Sequence, residues 1–392
     1  MKKLLSLIAL TAMLAVSGCG GETAAGSGSA AGGGSGSDTI KIGYTGGFSG
    51  ATASFGTPIF NAAVYAVEEI NNKGGVMGKK IELIKEDNEG DPFKGQQIID
   101  KFAADDINFV ISGSSSAVAL SEKQKVEMNK MVGIAATAAD PKVTSTQNPY
   151  YFVAIPNSDF LGGSIALHAA KNMGVKEAIV FIRDDAYGKS IYVPFKKRGE
   201  ASGLKVVKEY TYPVNAKDFN SYLSQGLKEF PDAHIMITGY APDGGLIAKQ
   251  ARALGYDKPI FGNVSLTNAE YAQIAGDAAN NTIVAATNYH KEDDTGTAKT
   301  FSDAWKQKSG HVPDDYEVRG YDVVYLIKAA IEKAGSLETE AVRKALLETK
   351  DFDGASGKLT YNPDGSIKKE LYIMKIMNGK NELDREIKPS EL

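Results

Sequence analysis

The stretch "IKIGYTGGFSGATASFGTPIFNAAVYAVEEINNKGG", residues 40–75, decides the fold class. Its first residues, Ile40–Thr45, form a short aliphatic run of strand character. From Thr57 the period changes. Ile59, Ala63, Ala66, Val67 and Ile70 fall on one helical face, and the pattern stops at Gly74-Gly75. A strand followed by a helix with one apolar face is the unit from which parallel, doubly covered sheets are built.

The unit recurs outward from there. "KIELIKED" (80–87), "NFVISG" (108–113) and "VGIAA" (132–136) read as strands with helical segments between them. After residues 150–154 the alternation restarts with "EAIVFIR" (177–183), "LKVVKEYTY" (204–212), "AHIMITG" (233–239), "PIFG" (259–262) and "TIVAAT" (282–287). One pattern run twice predicts two similar α/β lobes. The last hundred residues or so break it with helices near 298–310, 316–335 and 337–349, then the strands "GKLTY" and "LYIMKIM". Those helices are expected to return to the first lobe before the chain ends in the second.

The N-terminus carries a different message. Met1-Lys2-Lys3 is basic, and Leu4–Val16 is an apolar run shorter than the roughly 20 residues a spanning helix needs, which suits an export signal. Val16-Ser17-Gly18-Cys19 resembles the bacterial lipobox, and Cys19 is the chain's single cysteine. That resemblance implies cleavage before Cys19 and lipid on its thiol, with several acyl chains giving firm attachment to the bacterial membrane. Residues 19–37 then read as a lipidated Cys and a flexible Gly/Ser tether. The protein is thus expected outside the cytoplasm, held at the membrane surface. The competing account is an ordinary signal peptide with a stray cysteine.

Removing residues 1–18 takes Lys2 and Lys3 away and moves the formal charge from −4 to −6. A mildly acidic chain without a basic run offers no footprint for nucleic acid. The four histidines, His168, His234, His290 and His311, share no metal-ligand spacing, and no H-E-x-x-H or G-x-S-x-G occurs. "KEDNEGDP" (85–92) and "KEDD" read as solvated turns. Neither a metal, a cofactor nor an enzyme's nucleophile–base pair is called for. Two loops after strands suit anion binding instead: "SGSSSA" (112–117) and "AATAADPKVT" (135–144), where small residues expose main-chain N–H groups and hydroxyls add donors. Simple helix capping by Ser or Asp is the alternative.

The chain from Ile40 to Pro92 resembles the opening of the leucine/isoleucine/valine-binding proteins, extracytoplasmic receptors of ABC importers. The likeness continues in the family's order through "SSS", "DPKVT", "DDAYG", "ITGYAPDGG", "QARALGY", "IAGDAA", "GYD" and "GKLTYNPDG". It implies the type I periplasmic-binding-protein fold: two Rossmann-like lobes joined by a three-stranded hinge, with crossovers near residues 157, 288 and 359. The lobes are then 38–157 plus 289–358, and 158–288 plus 359–392. A monomer is expected, with an ABC permease and a small carboxylate, above all a hydrophobic amino acid, as partners. An amine-free organic or aromatic acid is the alternative ligand.

By the same likeness, the ligand carboxylate meets Ser114, with Ser115 beside it, and the loop Ala136, Thr137, Ala138 and Ala139 supplies main-chain groups. Phe55, Tyr187, Tyr240 and Tyr316 match pocket aromatics, with core packing the competing account for Phe55 and Tyr316. Two positions depart from the pattern. Where the family holds the α-ammonium with a threonine and a carboxylate, this chain has Ala139 and Val264. Asp243, Glu317 or an acid from an adjacent loop is then needed to replace them, or the ligand lacks an ammonium. Arg319 is expected in a surface salt bridge, with contact to an extra ligand carboxylate as the alternative.

Overall fold

A computed structural model describes residues 39–144, 149–291, 294–388 and 391. The segment read as an export signal, Cys19 and the Gly/Ser run lie outside the described residues.

The first sheet is built as the opening stretch predicts. Strands β1 (Thr39–Gly46), β2 (Lys80–Asp87), β3 (Phe109–Gly113), β4 (Val132–Ala135) and β5 (Tyr151–Val153) pair in the order β2-β1-β3-β4-β5, all parallel. Helices α1 (Ala53–Asn72), α2 (Pro92–Ala104) and α3 (Ser116–Met128) alternate with the strands. The face Ile59, Ala63, Ala66, Val67 and Ile70 of α1 is buried. The helix begins at Ala53, earlier than its apolar period indicates, and carries Pro58 within it. Proline has no N–H to return to the carbonyl four residues back, so the Ser54 carbonyl loses its helical donor.

The second sheet takes β6 (Glu177–Arg183), β7 (Lys205–Tyr212), β8 (His234–Ile237), β9 (Ile260–Gly262) and β10 (Thr282–Ala286) in parallel. Helix α4 (Ser158–Leu167) precedes it, and α5 (Ala186–Ala201), α6 (Asn220–Glu229), α7 (Ala241–Ala253) and α8 (Ala269–Ala275) lie between its strands in sequence. Before this sheet is finished, the chain leaves it for α9 (Gly296–Ser309), α10 (Asp315–Ala334) and α11 (Thr339–Leu347). Helix α10 packs along α1. Gly320 permits the approach, since a Cβ there would stand 2.2 Å from the Ile59 carbonyl oxygen.

A small antiparallel sheet follows, β11 (Phe352–Gly354), β12 (Gly357–Tyr361) and β13 (Ile367–Lys368). It stays beside the first sheet: the Val153 N–H donates to the Gly365 carbonyl, and the Tyr361 ring meets Phe152 edge-on. Only then do β14 (Leu371–Met377) and β15 (Lys380–Ile387) complete the second sheet as antiparallel strands, giving the order β15-β14-β10-β9-β8-β6-β7. The chain therefore passes between the sheets three times, after β5, after β10 and after β13. Strand β15 escapes sequence reading because its exposed "KNELDREI" has no buried apolar face to produce a period.

Candidate functional site

Ligands in open parallel sheets sit beyond the carboxyl ends of the strands. Every residue carried over by resemblance lies at such an end or on a helix that reaches it. On the first sheet, Ser114 follows β3. Its buried Oγ accepts from Asn88 Nδ2 at 2.6 Å and lies 3.3 Å from the Thr45 carbonyl oxygen. The latter is long for an O–H···O bond, whose usual range is about 2.5–3.0 Å, so this proton is free to turn to a better acceptor. Ser115 is the N-cap of α3 and accepts from the Val118 N–H. The capping account thus holds for Ser115, while Ser114 is held by a different set of contacts.

Beneath Ser114 lies a relay that sequence reading missed. Asn88 Nδ2 also donates to Thr45 Oγ1 at 2.9 Å, and Thr45 donates to Glu122 at 2.9 Å. Glu122 further accepts from Ser112 (2.6 Å) and Tyr151 (3.0 Å). Burial pushes the Glu122 carboxyl up, and these hydrogen bonds oppose the shift. Reading "KEDNEGDP" as wholly solvated is corrected here: Asn88 is fully buried, because it turns inward between β2 and α2 to satisfy Ser114.

The second loop contributes less than its composition implies. The Ala136 N–H is spent on the Ser112 carbonyl at 2.8 Å. The Ala139 carbonyl accepts from the N–H of Ser158 (2.8 Å) and from its hydroxyl (2.7 Å). That hydroxyl stands 2.7 Å from Ser190 Oγ, which in turn bonds the Tyr187 carbonyl. The chain's first passage between sheets is thereby tied to both loops.

The four aromatics converge. Phe55 lies 5.4 Å from Tyr240 and 5.9 Å from Tyr316, and Tyr240 stacks on Tyr187 at 5.1 Å with the planes 2° apart. Phe55 and Tyr316 come from α1 and α10, beside the first sheet. Tyr187 and Tyr240 come from the starts of α5 and α7, beyond β6 and β8. The Tyr187 hydroxyl donates to Asn263 Oδ1 (3.0 Å) and receives from Ser265 (3.1 Å). The buried Tyr240 hydroxyl has no partner among the described residues. Burial raises the ionisation of Tyr187, Tyr240 and Tyr316, Tyr316 to about 12, so all three are neutral hydrogen-bonding groups.

The replacement acids are already engaged. Asp243 accepts from Arg183 Nη1 (3.1 Å), the Tyr240 N–H (3.2 Å) and the Tyr212 hydroxyl. Glu317 accepts from His311 (3.0 Å) and from the Asp314 N–H (2.8 Å), closing a capping box at the start of α10. Ala139 and Val264 are buried and apolar.

Arg319 is not on the surface, which corrects the sequence expectation. It is 1 % exposed, and its Nη1 donates to Thr287 Oγ1 (2.7 Å) and Asp315 (3.0 Å). Asp315 also accepts from the Thr287 N–H at 3.1 Å, so one face of α10 grips the second passage between the sheets. The helix is buried on nearly all sides, and its charges had to be paired rather than solvated. No grouping of His, Cys, Asp and Glu suited to a metal occurs among the described residues.

The comparisons agree with this fold. Residues 39–381 match the family model described as periplasmic binding protein. The Leu/Ile/Val-binding protein BraC3 of Rhizobium johnstonii is 31% identical over 337 residues, 86% of this chain and 90% of that protein. The leucine-, isoleucine-, valine-, threonine-, and alanine-binding protein of Pseudomonas aeruginosa is 29% identical, over 84% of this chain and 88% of that protein. Among solved structures, the leucine binding protein LivK of Thermotoga maritima superposes with a TM-score of 0.86 at 26% identity, covering 90% of this chain and 100% of that one. The branched-chain amino acid transporter substrate binding protein LivJ of Streptococcus pneumoniae, in complex with isoleucine, gives 0.83 at 26% identity with the same coverage. A match spanning both sheets and all three passages between them identifies the chain as a member of the periplasmic binding protein family.

Proposed function

We propose that this protein is the extracytoplasmic receptor of an ABC importer and closes two lobes on a small carboxylate with an apolar body. The observation that carries the reading is the meeting of Phe55 and Tyr316 from the first-sheet side with Tyr187 and Tyr240 from the second. Ser114 Oγ and the N–H groups of Thr137 and Ala138 receive the carboxylate, Ser115 fixes the start of α3 beside them, and the aromatics enclose the body. The loop from Ala136 to Ala139 lets the ligand approach the main chain because its side chains are small. No bond is made or broken. The lobes are those built on the two sheets, with α9–α11 belonging to the first, and the captured molecule passes to a membrane permease. Cys19 carries the lipid once residues 1–18 are removed, and residues 19–37 tether a monomeric body above the membrane.

The relatives, which bind leucine, isoleucine and valine, support a branched-chain or other hydrophobic amino acid. A second reading, an amine-free carboxylic acid, is favoured by one observation: Asp243 and Glu317 are both committed to other partners, and an unpaired buried ammonium costs several kcal/mol. Thermal melting of protein refolded from denaturant separates the readings, since a ligand at a hundred times its Kd stabilises by about 2.7 kcal/mol. Leucine and valine raise the melting temperature if the ammonium is recognised. Only amine-free acids do so if it is not, and no shift with any small acid contradicts the receptor itself.

A further inference from the structure

Arg319 divides its donors unequally. Nη1 serves Asp315 and Thr287, while Nε and Nη2 are buried and have no hydrogen-bond partner among the described residues. Those two groups form one edge of the guanidinium, two parallel N–H bonds whose spacing matches the oxygens of a carboxylate. The guanidinium carbon lies 4.9 Å from the centre of the Tyr316 ring, the ring that touches Phe55. Its charge also reaches the Tyr187 and Tyr316 hydroxyls, where it works against the burial that raises both. The arginine therefore belongs to the aromatic enclosure and not to an outer face of α10.

The rest of its surroundings do not use that edge. Lys369, whose ammonium is pulled down to about 8 by burial, donates to the Ser356 carbonyl, and Asp322 accepts from the N–H groups of Ala355 and Ser356. Asp315 is shared between Arg319 and Thr287. A purely hydrocarbon ligand body would leave two buried donors unanswered, and a buried donor without an acceptor disfavours the complex.

We infer that the Nε–Nη2 edge of Arg319 is a second anion subsite, and that the preferred ligand is a small dicarboxylate bound by Ser114 at one end and Arg319 at the other. This inference rests on the cleft reading above and narrows its ligand class. A plain structural role for Arg319, as a brace on the passage at Thr287, would need Nη1 alone.

The test uses two pairs of probes that differ only in the second carboxylate: glutarate against pentanoate, and L-glutamate against L-norvaline. Titration calorimetry is performed on the refolded chain. The expected result is tighter binding of the dicarboxylate by about tenfold or more in at least one pair, and collapse of that ratio towards one in Arg319→Lys, which keeps a charge for Asp315 but lacks the fork. Equal binding within both pairs by the unaltered protein overturns the subsite and leaves the receptor reading standing. Binding of none of the four probes overturns the subsite, and the receptor reading falls with it only if no other small acid shifts the melting temperature. The ratio in the unaltered protein decides the matter even if the variant does not fold.

Discussion

Ser114 shows how a hydroxyl at the end of β3 is held. Its oxygen is fixed by Asn88, Asn88 by Thr45, and Thr45 by a buried Glu122, so the hydroxyl is held in place while its proton has only a 3.3 Å contact. Ser114→Ala is expected to weaken binding of the stabilising acid by about 1–3 kcal/mol, read by calorimetry, because a hydrogen bond to a charged group is lost. An unchanged affinity would remove Ser114 from the site. Ser114 and the aromatics came forward from the family resemblance, on motifs such as "SSS", "DDAYG" and "ITGYAPDGG". Asn88, Glu122 and Arg319 did not, because their partners come from distant parts of the chain and a lone charged letter reads as solvated. What separates Arg319 from a surface arginine is the company of Thr287, 32 residues away, and of Asp315 within the fold.

Helices and strands were legible wherever one face is apolar, as in α1, and illegible where it is not, as in β15. What no period announces is the use made of a helix end. Because Pro58 returns no N–H to Ser54, that carbonyl takes the side-chain amide of Asn268 at 3.0 Å, from the N-cap of α8 beside the second sheet. The same amide reaches Asp314, the N-cap of α10, at 3.4 Å. Asn268 thus latches two helix starts on the first-sheet side to one on the second. Asn268→Asp keeps the oxygen that accepts the Glu270 N–H at 2.9 Å but loses the donor. Ligand affinity is expected to fall by about 0.5–1.5 kcal/mol, with the melting temperature of the ligand-free protein nearly unchanged. Equal affinity for both forms, measured by the same titration, would show that the latch does not favour closure.

At the scale of the whole molecule, the two sheets and the three passages between them follow from one strand–helix unit run twice and interrupted by a helical return. The doubled pattern was readable from residues 40–75 outward; the late return after β13 was not, because "GKLTY" and "SIKK" pair locally before the chain crosses. Function at this scale is a population shift: a ligand that touches both halves favours the closed form by its difference in affinity for the two forms. Phe55 and Tyr316 meeting Tyr187 and Tyr240 is the contact that closure must make around a guest. The measurement that tests this most directly is a crystal structure of the refolded protein with whichever small acid stabilises it most. The account predicts one carboxylate within about 2.6–3.2 Å of Ser114 Oγ, with Tyr187 and Tyr240 over the ligand body. An acid bound elsewhere, or Ser114 and Tyr187 facing separate cavities, would contradict it.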